Sequence, residues 1–197
     1  MYLLIIHARF KHMYVQKKLI NIEGRDIDVN LQFYDKSDLP KLKDYYWSWV
    51  NLSNSLQKFG GRRINLPEII SEAIYCINFD SARLNESISG INTSFDCYNI
   101  KTKKRIQVKA CSVKEDLTSF GPRSVWDEIY FVHFFSNNKY DGSYAIYKIE
   151  NNLIYNHQVS KSQSFTDQQK QGRRPRFSII KDLIKPHNIQ PILESNL

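Results

Sequence analysis

The stretch that decides the fold is SFDCYNIKTKKRIQVKACSV, residues 94–113. It predicts two short strands joined by a basic turn, which together form a β-hairpin. The first strand is expected over residues 92–99, the turn over 100–105 and the second strand over 106–113. The rest of the chain is interpreted around this hairpin.

The hairpin is expected to bring three polar side chains together. Side chains on a strand alternate between its faces, so Gln107 and Lys109 share one face while Val108 points the other way into a core. An antiparallel partner strand can bring Asp96 close to that pair. We therefore expect a carboxylate, an amide oxygen and an ammonium group to converge at one edge of a sheet.

This combination suits metal-assisted hydrolysis of a phosphodiester bond. Mg²⁺ prefers hard oxygen ligands and usually takes one or two protein carboxylates, with water and phosphate as the other ligands. Asp96 offers a carboxylate, Gln107 an amide oxygen and Val108 a backbone carbonyl. Lys109 can orient a water molecule and offset negative charge on the phosphorus centre. The competing interpretation is a hairpin with a polar edge and an incidental lysine, since such short motifs are common.

Composition limits the class of protein and of partner. The 197 residues suit one domain, and 28 Lys and Arg against 20 Asp and Glu give a net charge of +8. This excess predicts a polyanionic partner, either nucleic acid or an acidic membrane surface, with a merely basic protein as the alternative. We expect no membrane span, no signal peptide and a cytoplasmic location. We expect reduced core cysteines, without zinc, at Cys76, Cys97 and Cys111.

Two helices are predicted before the hairpin. The first runs from Asp38, a candidate N-cap, to about Lys58, and Gly60-Gly61 is its stop signal. The second starts at Asn65-Leu66-Pro67-Glu68, with Asn65 as N-cap and Glu68 at the capping-box position.

Glu72 is the candidate for a second carboxylate in the site. It lies four residues after Glu68 and therefore on the same helix face. Glu68 has a role in the predicted cap, whereas Glu72 lies in mid-helix beside buried positions. An acid that faces solvent is the ordinary alternative for Glu72.

The remaining elements are expected to complete the sheet. The apolar run over 127–135 predicts a central strand. The other predicted elements are a peripheral segment over 1–36, a loop over 114–126, a turn over 137–142, strands over 143–150 and 153–159, and a short helix over 177–185 that ends at Pro186.

The segment 161–185 changes the character of the chain. It holds seven Lys or Arg and only two acids, and its middle is rich in Gln and Arg. Arg pairs with guanine and Gln with adenine in bidentate geometry, and Arg and Lys also hold phosphates. A solvated loop is the alternative. The candidates for base recognition are Gln168, Gln169, Gln171, Arg173, Arg174 and Arg176, and those for backbone phosphates are Lys101, Lys103, Lys104 and Arg105.

Together these pieces resemble the PD-(D/E)XK nuclease superfamily and, more narrowly, small type II restriction endonucleases that cleave GCNGC-type DNA sites. The resemblance covers about 45–192. It implies an α/β (α+β) restriction-endonuclease-like core, a central mixed β-sheet flanked by helices, in a single domain over 1–197. The stretches that carry it are LPEIISEAIYC (66–76), SFDCYNIKTKKRIQVKACSV (94–113), LTSFGPRSVWDEIYF (117–131) and QQKQGRRPRFSI (168–179).

By position, the resemblance implies that Asp96 binds the metal and Lys109 is the catalytic lysine. Glu72 would match the acidic residue of the preceding helix. Gln107 stands where the superfamily usually has Asp or Glu, so we expect weaker metal binding rather than an inactive site; Phe95 replaces the nominal proline. The resemblance also implies Mg²⁺, double-stranded DNA, a homodimer matched to a palindromic site and a cognate DNA methyltransferase.

Three other functions compete with this interpretation. A structure-specific or repair nuclease of the same fold would share the catalytic residues. A non-catalytic DNA-binding module would be compatible with the neutral Gln107. A structural or membrane-surface protein is disfavoured, because the sequence lacks a basic amphipathic helix with an apolar face.

Overall fold

An eight-stranded mixed sheet runs through the computed structural model, which describes residues 12–197. Residues 1–11 of the predicted N-terminal segment lie outside the described residues. The strands are β1 Tyr14–Ile22, β2 Arg25–Phe33, β3 Ser81–Leu84, β4 Cys97–Asn99, β5 Lys104–Cys111, β6 Thr118–Ser119, β7 Glu128–His133, β8 Ser143–Ile149, β9 Gln158–Ser160, β10 Gln163–Ser164, β11 Arg176–Phe177 and β12 Leu193–Asn196. The helices are α1 Leu39–Lys58, α2 Glu68–Asn78, α3 Asn151–Tyr155 and α4 Phe165–Lys170, with a 3₁₀ turn at Lys36–Asp38 and a π-helical segment at Ile180–Ile184.

The strand order in the large sheet is β1-β2-β3-β4-β5-β7-β8-β12. β5 and β7 are parallel, and the other neighbours are antiparallel. Two small antiparallel pairs, β9 with β10 and β6 with β11, lie outside this sheet. The predicted mixed sheet with flanking helices is confirmed.

The sheet has an apolar core on each side at its centre. α1 and α2 pack on one face, where Ile106 and Val108 of β5 are buried beneath them. The opposite face is covered by α3, α4 and the C-terminal chain, and Cys111 of β5 lies there. β7 alternates in the same way, with Tyr130 in the first core and Phe131 in the second. A strand buried on both faces gives the continuous apolar run that predicted its central position.

The predicted ends of the two long helices are partly confirmed. α1 ends before Gly60, whose φ of +88° suits glycine, and Gly61 N–H bonds the Leu56 carbonyl at 2.7 Å. The Asp38 side chain does not cap α1. The predicted N-cap at Asn65 is wrong, because α2 begins directly after Pro67 and receives no side-chain cap.

Other boundaries differ from the predictions. The first hairpin strand is only Cys97–Asn99, because Asn92 turns the preceding chain by bonding Ser94 N–H. The predicted strand over 153–159 is wrong in its first part, and only its end falls in β9. Residues Asn151–Tyr155 are helical, and their end is held by the stacking of Tyr155 on Trp126. Hairpin β1–β2 forms one edge of the sheet, and β12 forms the other. Strand β12 was not predicted from the sequence.

The three cysteines are free and buried, as expected. Within residues 12–197, no helix combines the length and apolar character needed to cross a bilayer.

Candidate active site

Asp96 and Gln107 face each other across the central hairpin. The pairing of Cys97 with Ile106 continues by one residue and places Asp96 opposite Gln107. The Gln107 side-chain amide donates a hydrogen bond to Asp96 Oδ2, and Val108 N–H donates a second to the same oxygen at 2.8 Å. Two donors on adjacent residues of β5 thus fix the orientation of the carboxylate.

Lys109 lies two residues beyond Gln107 on the same face of β5. Its ammonium group is 5.7 Å from the centre of the Phe120 ring, which borders one side of the site. Burial raises the pKa of Asp96, while the positive charge of Lys109 and the hydrogen bonds from Val108 and Gln107 oppose that rise. The structure therefore brings the carboxylate, the amide and the ammonium group together. The expected position at an edge of the sheet is wrong, because β4 and β5 are interior strands of the eight-stranded sheet. The groups lie at the open end of the hairpin, which we call the catalytic edge of the hairpin.

Two side-chain oxygens at this edge accept no hydrogen bond. Among residues 12–197, these are Gln107 Oε1, which is buried, and Asp96 Oδ1. A buried oxygen without a donor is unfavourable, and a hard cation would satisfy it. A carboxylate with neutral oxygens fits the ligand preference of Mg²⁺. No three His, Cys, Asp or Glu side chains within the described range are grouped to hold a metal by themselves.

Glu72 lies beside this edge but is bound to another residue. Its Oε2 accepts a hydrogen bond and ion pair from Arg83 Nε of β3, and both side chains are about nine-tenths buried. Burial and then the charge of Asp96 raise the pKa of Glu72, whereas Arg83 lowers it. Arg83 was not among the site residues predicted from the sequence. The available signal was a lone arginine inside the short strand SARL, all of which is buried.

Two clefts border residues of this site. One of about 350 Å³ is lined by Glu68, Glu72, Arg83 and Asp96. The other, of about 380 Å³, is lined by residues that include Lys109, Arg63, Asn65 and Ser119. Asp96 thus borders the first cleft and Lys109 the second.

The predicted phosphate-binding turn, which we call the basic turn (residues 100–105), is largely neutralised. Lys101 pairs with Asp80 at 2.7 Å, and Lys104 pairs with Glu128 at 2.6 Å. Arg105 pairs with Asp127 at 2.9 Å and Glu23 at 3.2 Å. Lys103 is exposed and has a φ of +57°.

The predicted base-reading residues 168–176, which we call the basic segment, run from α4 into β11. Gln168 is buried and so does not belong to the exposed surface. Gln169 donates to the Gly121 carbonyl at 3.0 Å, and Arg173 donates to the neutral Gln163 at 2.8 Å. Gln171 accepts a bond from Gln163 at 3.0 Å. Arg174 and Arg176 are exposed, and neither side chain bonds to a described residue.

The loop 120–125 joins the basic segment to the hairpin. Phe120 N–H bonds the Pro175 carbonyl at 3.0 Å on one side. On the other side, the Arg123 carbonyl accepts from Asn92 at 2.8 Å, and Val125 N–H bonds Ser94 Oγ at 3.0 Å. This loop gives the basic segment a fixed position relative to the strand that carries Asp96.

Asp116 holds the residues that directly follow the basic segment, and this role was not predicted from the sequence. Its buried carboxylate accepts bonds from Ile179 N–H at 2.9 Å, Ile180 N–H at 3.0 Å and Ser178 Oγ at 2.8 Å. The local sequence around Asp116 does not reveal these hydrogen bonds, because their donors lie more than 60 residues away along the chain.

Comparison with known proteins identifies the family. A family model described as Bsp6I restriction endonuclease matches residues 34–186. The chain belongs to the Bsp6I restriction endonuclease family. The curated type II restriction enzyme Bsp6I of Bacillus sp. (strain RFL6) is 36% identical to it over 166 residues, which cover 83% of this chain and 90% of the relative. No solved structure shows significant similarity to the chain.

Membership of the Bsp6I family confirms the prediction of a restriction endonuclease. The matched range contains α1, α2, the central hairpin and the basic segment. Hairpin β1–β2 and strand β12 lie outside it. The Bsp6I family match therefore covers both the proposed catalytic edge and the proposed DNA-reading segment.

Proposed function

We propose that the chain is a type II restriction endonuclease that hydrolyses double-stranded DNA at a GCNGC-like palindromic site with Mg²⁺. The observation that carries the proposal is the convergence of Asp96, Gln107 and Lys109 at the catalytic edge of the central hairpin, within the family match. The +8 net charge supports a polyanionic substrate. The printed description of the relative as a type II restriction enzyme supports the class of reaction.

The residues at the edge fit a magnesium ion. Asp96 Oδ1 and Gln107 Oε1 would hold it, with the Val108 carbonyl as a further ligand. When bound, the ion supplies a Lewis acid for the phosphate and lowers the pKa of water. Glu72, the second carboxylate expected from the sequence, is bound to Arg83 in this structure, and we do not include it among the ligands of the ion.

The protein's own groups account for the rest of the chemistry. Lys109 donates to the attacking water or to a phosphate oxygen and stabilises negative charge that develops on the phosphate. Arg174 and Arg176 reach base edges, assisted by Gln169, Gln171 and Arg173. Lys103 and, after exchange of their ion pairs, Lys101, Lys104 and Arg105 hold backbone phosphates.

A palindromic site requires two symmetry-related active sites, so we propose a homodimer. A cognate DNA methyltransferase would protect the same sites in the host. This context follows from the restriction class of the relative.

Plasmid digestion tests the proposed function. We expect discrete fragments with Mg²⁺, none with EDTA, and a loss of at least about 10³-fold for Lys109→Ala, which removes charge stabilisation in the transition state. Lys43→Ala is the matched control and should retain cleavage, because Lys43 is exposed on α1 and has no role in the proposed site. Sequencing the fragment ends gives the recognition site.

Two outcomes would contradict the proposal. Metal-dependent nicking without fixed ends would favour a structure-specific or repair nuclease. An absence of cleavage with retained, salt-sensitive DNA binding would favour a non-catalytic module.

Gln107 determines how strongly the site binds its ion. Gln107→Glu adds a second carboxylate opposite Asp96, and we expect the Mg²⁺ concentration for half-maximal cleavage to fall about tenfold. Gln107→Ala removes the amide oxygen and should raise that concentration. Equal Mg²⁺ dependence in all three proteins would exclude Gln107 as a ligand.

A further inference from the structure

Arg83 occupies an unusual place for a charged side chain. It lies on β3, where its neighbours Ala82 and Leu84 are both fully or nearly fully buried. The strand pairs with Gln32 of β2 on one side and with Cys97 of β4 on the other. The next residue before Cys97 is Asp96, so the arginine stands beside the catalytic edge.

The guanidinium group is held firmly at only one of its nitrogens. Nε is bound to Glu72, which is itself buried. Nη2 is 3.8 Å from Oε1 of Glu68, an exposed side chain, and Nη1 is 3.5 Å from Oε1 of Gln32. These distances are at or beyond the limit of a hydrogen bond, so both terminal nitrogens have unused donor capacity.

The unused nitrogens belong to a residue that lines an open cleft. Arg83, Glu68, Glu72 and Asp96 border the same cleft of about 350 Å³. The two terminal nitrogens of a planar guanidinium group match the oxygens of a phosphate group in bidentate geometry. A buried ion pair contributes little net stability, because the cost of desolvation offsets the attraction between its charges.

We propose that Arg83 binds a DNA phosphate in the cleft beside Asp96, and that Glu72 is the positioning residue of Arg83 rather than a ligand of the divalent cation. This inference rests on the proposed nuclease function. In this proposal, the phosphate group that Arg83 binds is the neighbour of the phosphate at the cleaved bond.

The acids of this cleft differ in their partners. Glu72 is paired with Arg83, and Glu86 accepts hydrogen bonds from Asn30, whereas Glu68 is exposed to solvent. Among the described residues that line the cleft, Arg83 is the one cation, so a phosphate group that enters the cleft would meet its guanidinium group.

Binding measured without metal tests the assignment. A duplex of about 20 base pairs that contains GCNGC is titrated in EDTA over a series of salt concentrations. We expect Arg83→Gln to weaken binding about 5- to 20-fold and to reduce the salt slope by about one, as loss of one phosphate contact predicts. Glu72→Gln should have a similar effect, and the double variant should be no worse than either single variant, since the two residues act as a unit. Arg25→Gln, which removes an exposed arginine from β2, is the matched control.

Metal binding separates the two possible roles of Glu72. Mn²⁺ is titrated into each protein and followed by electron paramagnetic resonance, with urea unfolding as a check on folding. We expect Glu72→Gln to change Mn²⁺ affinity by less than about threefold, because the ligands are other residues. Arg83→Lys keeps a charge in the cleft and should retain folding while it loses the bidentate contact.

The result that overturns the inference is a loss of Mn²⁺ binding of more than about tenfold in Glu72→Gln, with metal-free DNA binding and the salt slope unchanged. Glu72 would then be a ligand and Arg83 its counter-ion. A failure of the nuclease proposal gives a different result, because a wild-type protein that never cleaves plasmid DNA still shows whether the salt slope depends on Arg83.

Discussion

The basic turn and the basic segment are both rich in Lys and Arg but differ in the charge that they can offer to DNA. Three cations of the turn, Lys101, Lys104 and Arg105, each pair with an acid. In the segment, Arg174 and Arg176 remain exposed without a side-chain partner among residues 12–197. A count of Lys and Arg therefore overstates the binding capacity of the turn.

The difference arises from the neighbours that the fold supplies. β5 and β7 are parallel, and their register places Glu128 beside Ile106. Glu128 therefore lies close to Lys104, which is two residues before Ile106 on β5. Asp127 accepts from both the backbone and the side chain of Arg105. Asp167, the acid that directly precedes the segment in the chain, is already bonded to Ser164 in the cap of α4.

Glu128 shows how strongly the turn is neutralised. Partial burial would raise its pKa, but hydrogen bonds from Lys104, Lys148 and Tyr130 outweigh that effect and lower the pKa to about 2. Glu128 therefore stays ionised around neutral pH, and its negative charge remains available to Lys104 and Lys148.

The largest expected effect separates the two regions directly. Arg174→Ala should weaken cleavage of the recognition site by about 10- to 100-fold, because a bidentate arginine contributes about 1–3 kcal/mol of base discrimination. Lys104→Ala should change it by less than threefold, since Lys104 is engaged with Glu128. Cleavage rates on the recognition site and on single-base variants measure both. An equal loss on all sequences in Arg174→Ala would replace the base-reading role with a phosphate role.

A smaller effect is expected when the turn is released from its acids. The double variant Asp127→Asn, Glu128→Gln should raise non-specific DNA affinity at low salt about 5- to 10-fold and steepen the salt slope by about one to two, because freed cations contact phosphates. Filter binding to a duplex without the site measures the change. Glu150→Gln with Glu194→Gln alters net charge equally at exposed positions. An identical gain in this control pair would mean that overall charge, and not release of the turn, decides affinity.

The smallest effect concerns stability. Glu128→Gln should cost about 1 kcal/mol at neutral pH, because its two lysine partners are exposed and water screens them. The folded pKa of Glu128 lies below its ordinary value, so the stabilisation is complete above about pH 4.5, declines below that pH and is gone below about pH 2. Urea unfolding of both proteins at several pH values measures the difference. A difference that grows as the pH falls from 7 to 4 would contradict this account.

Local pattern was sufficient to predict a large part of this structure. The alternation of residues along β5 predicted that Gln107 and Lys109 share a face, and hairpin pairing predicted Asp96 opposite them. The continuous apolar run of β7 and the glycine stop after α1 were also readable, since burial on two faces and a positive φ each demand particular residue types.

Contacts between distant residues decided the rest. Arg83 meets Glu72, Asp116 meets Ile179 and Asp127 meets Arg105 only because sheet register and packing bring them together. Residues 151–155 became helical rather than extended because Ile154 is buried and Tyr155 stacks on Trp126, which tertiary packing alone provides. The sequence by itself determined which chemical groups stand at the edge of the central hairpin. Only the tertiary structure decided which charges remain free to act, because ion pairing depends on neighbours that the local pattern does not specify.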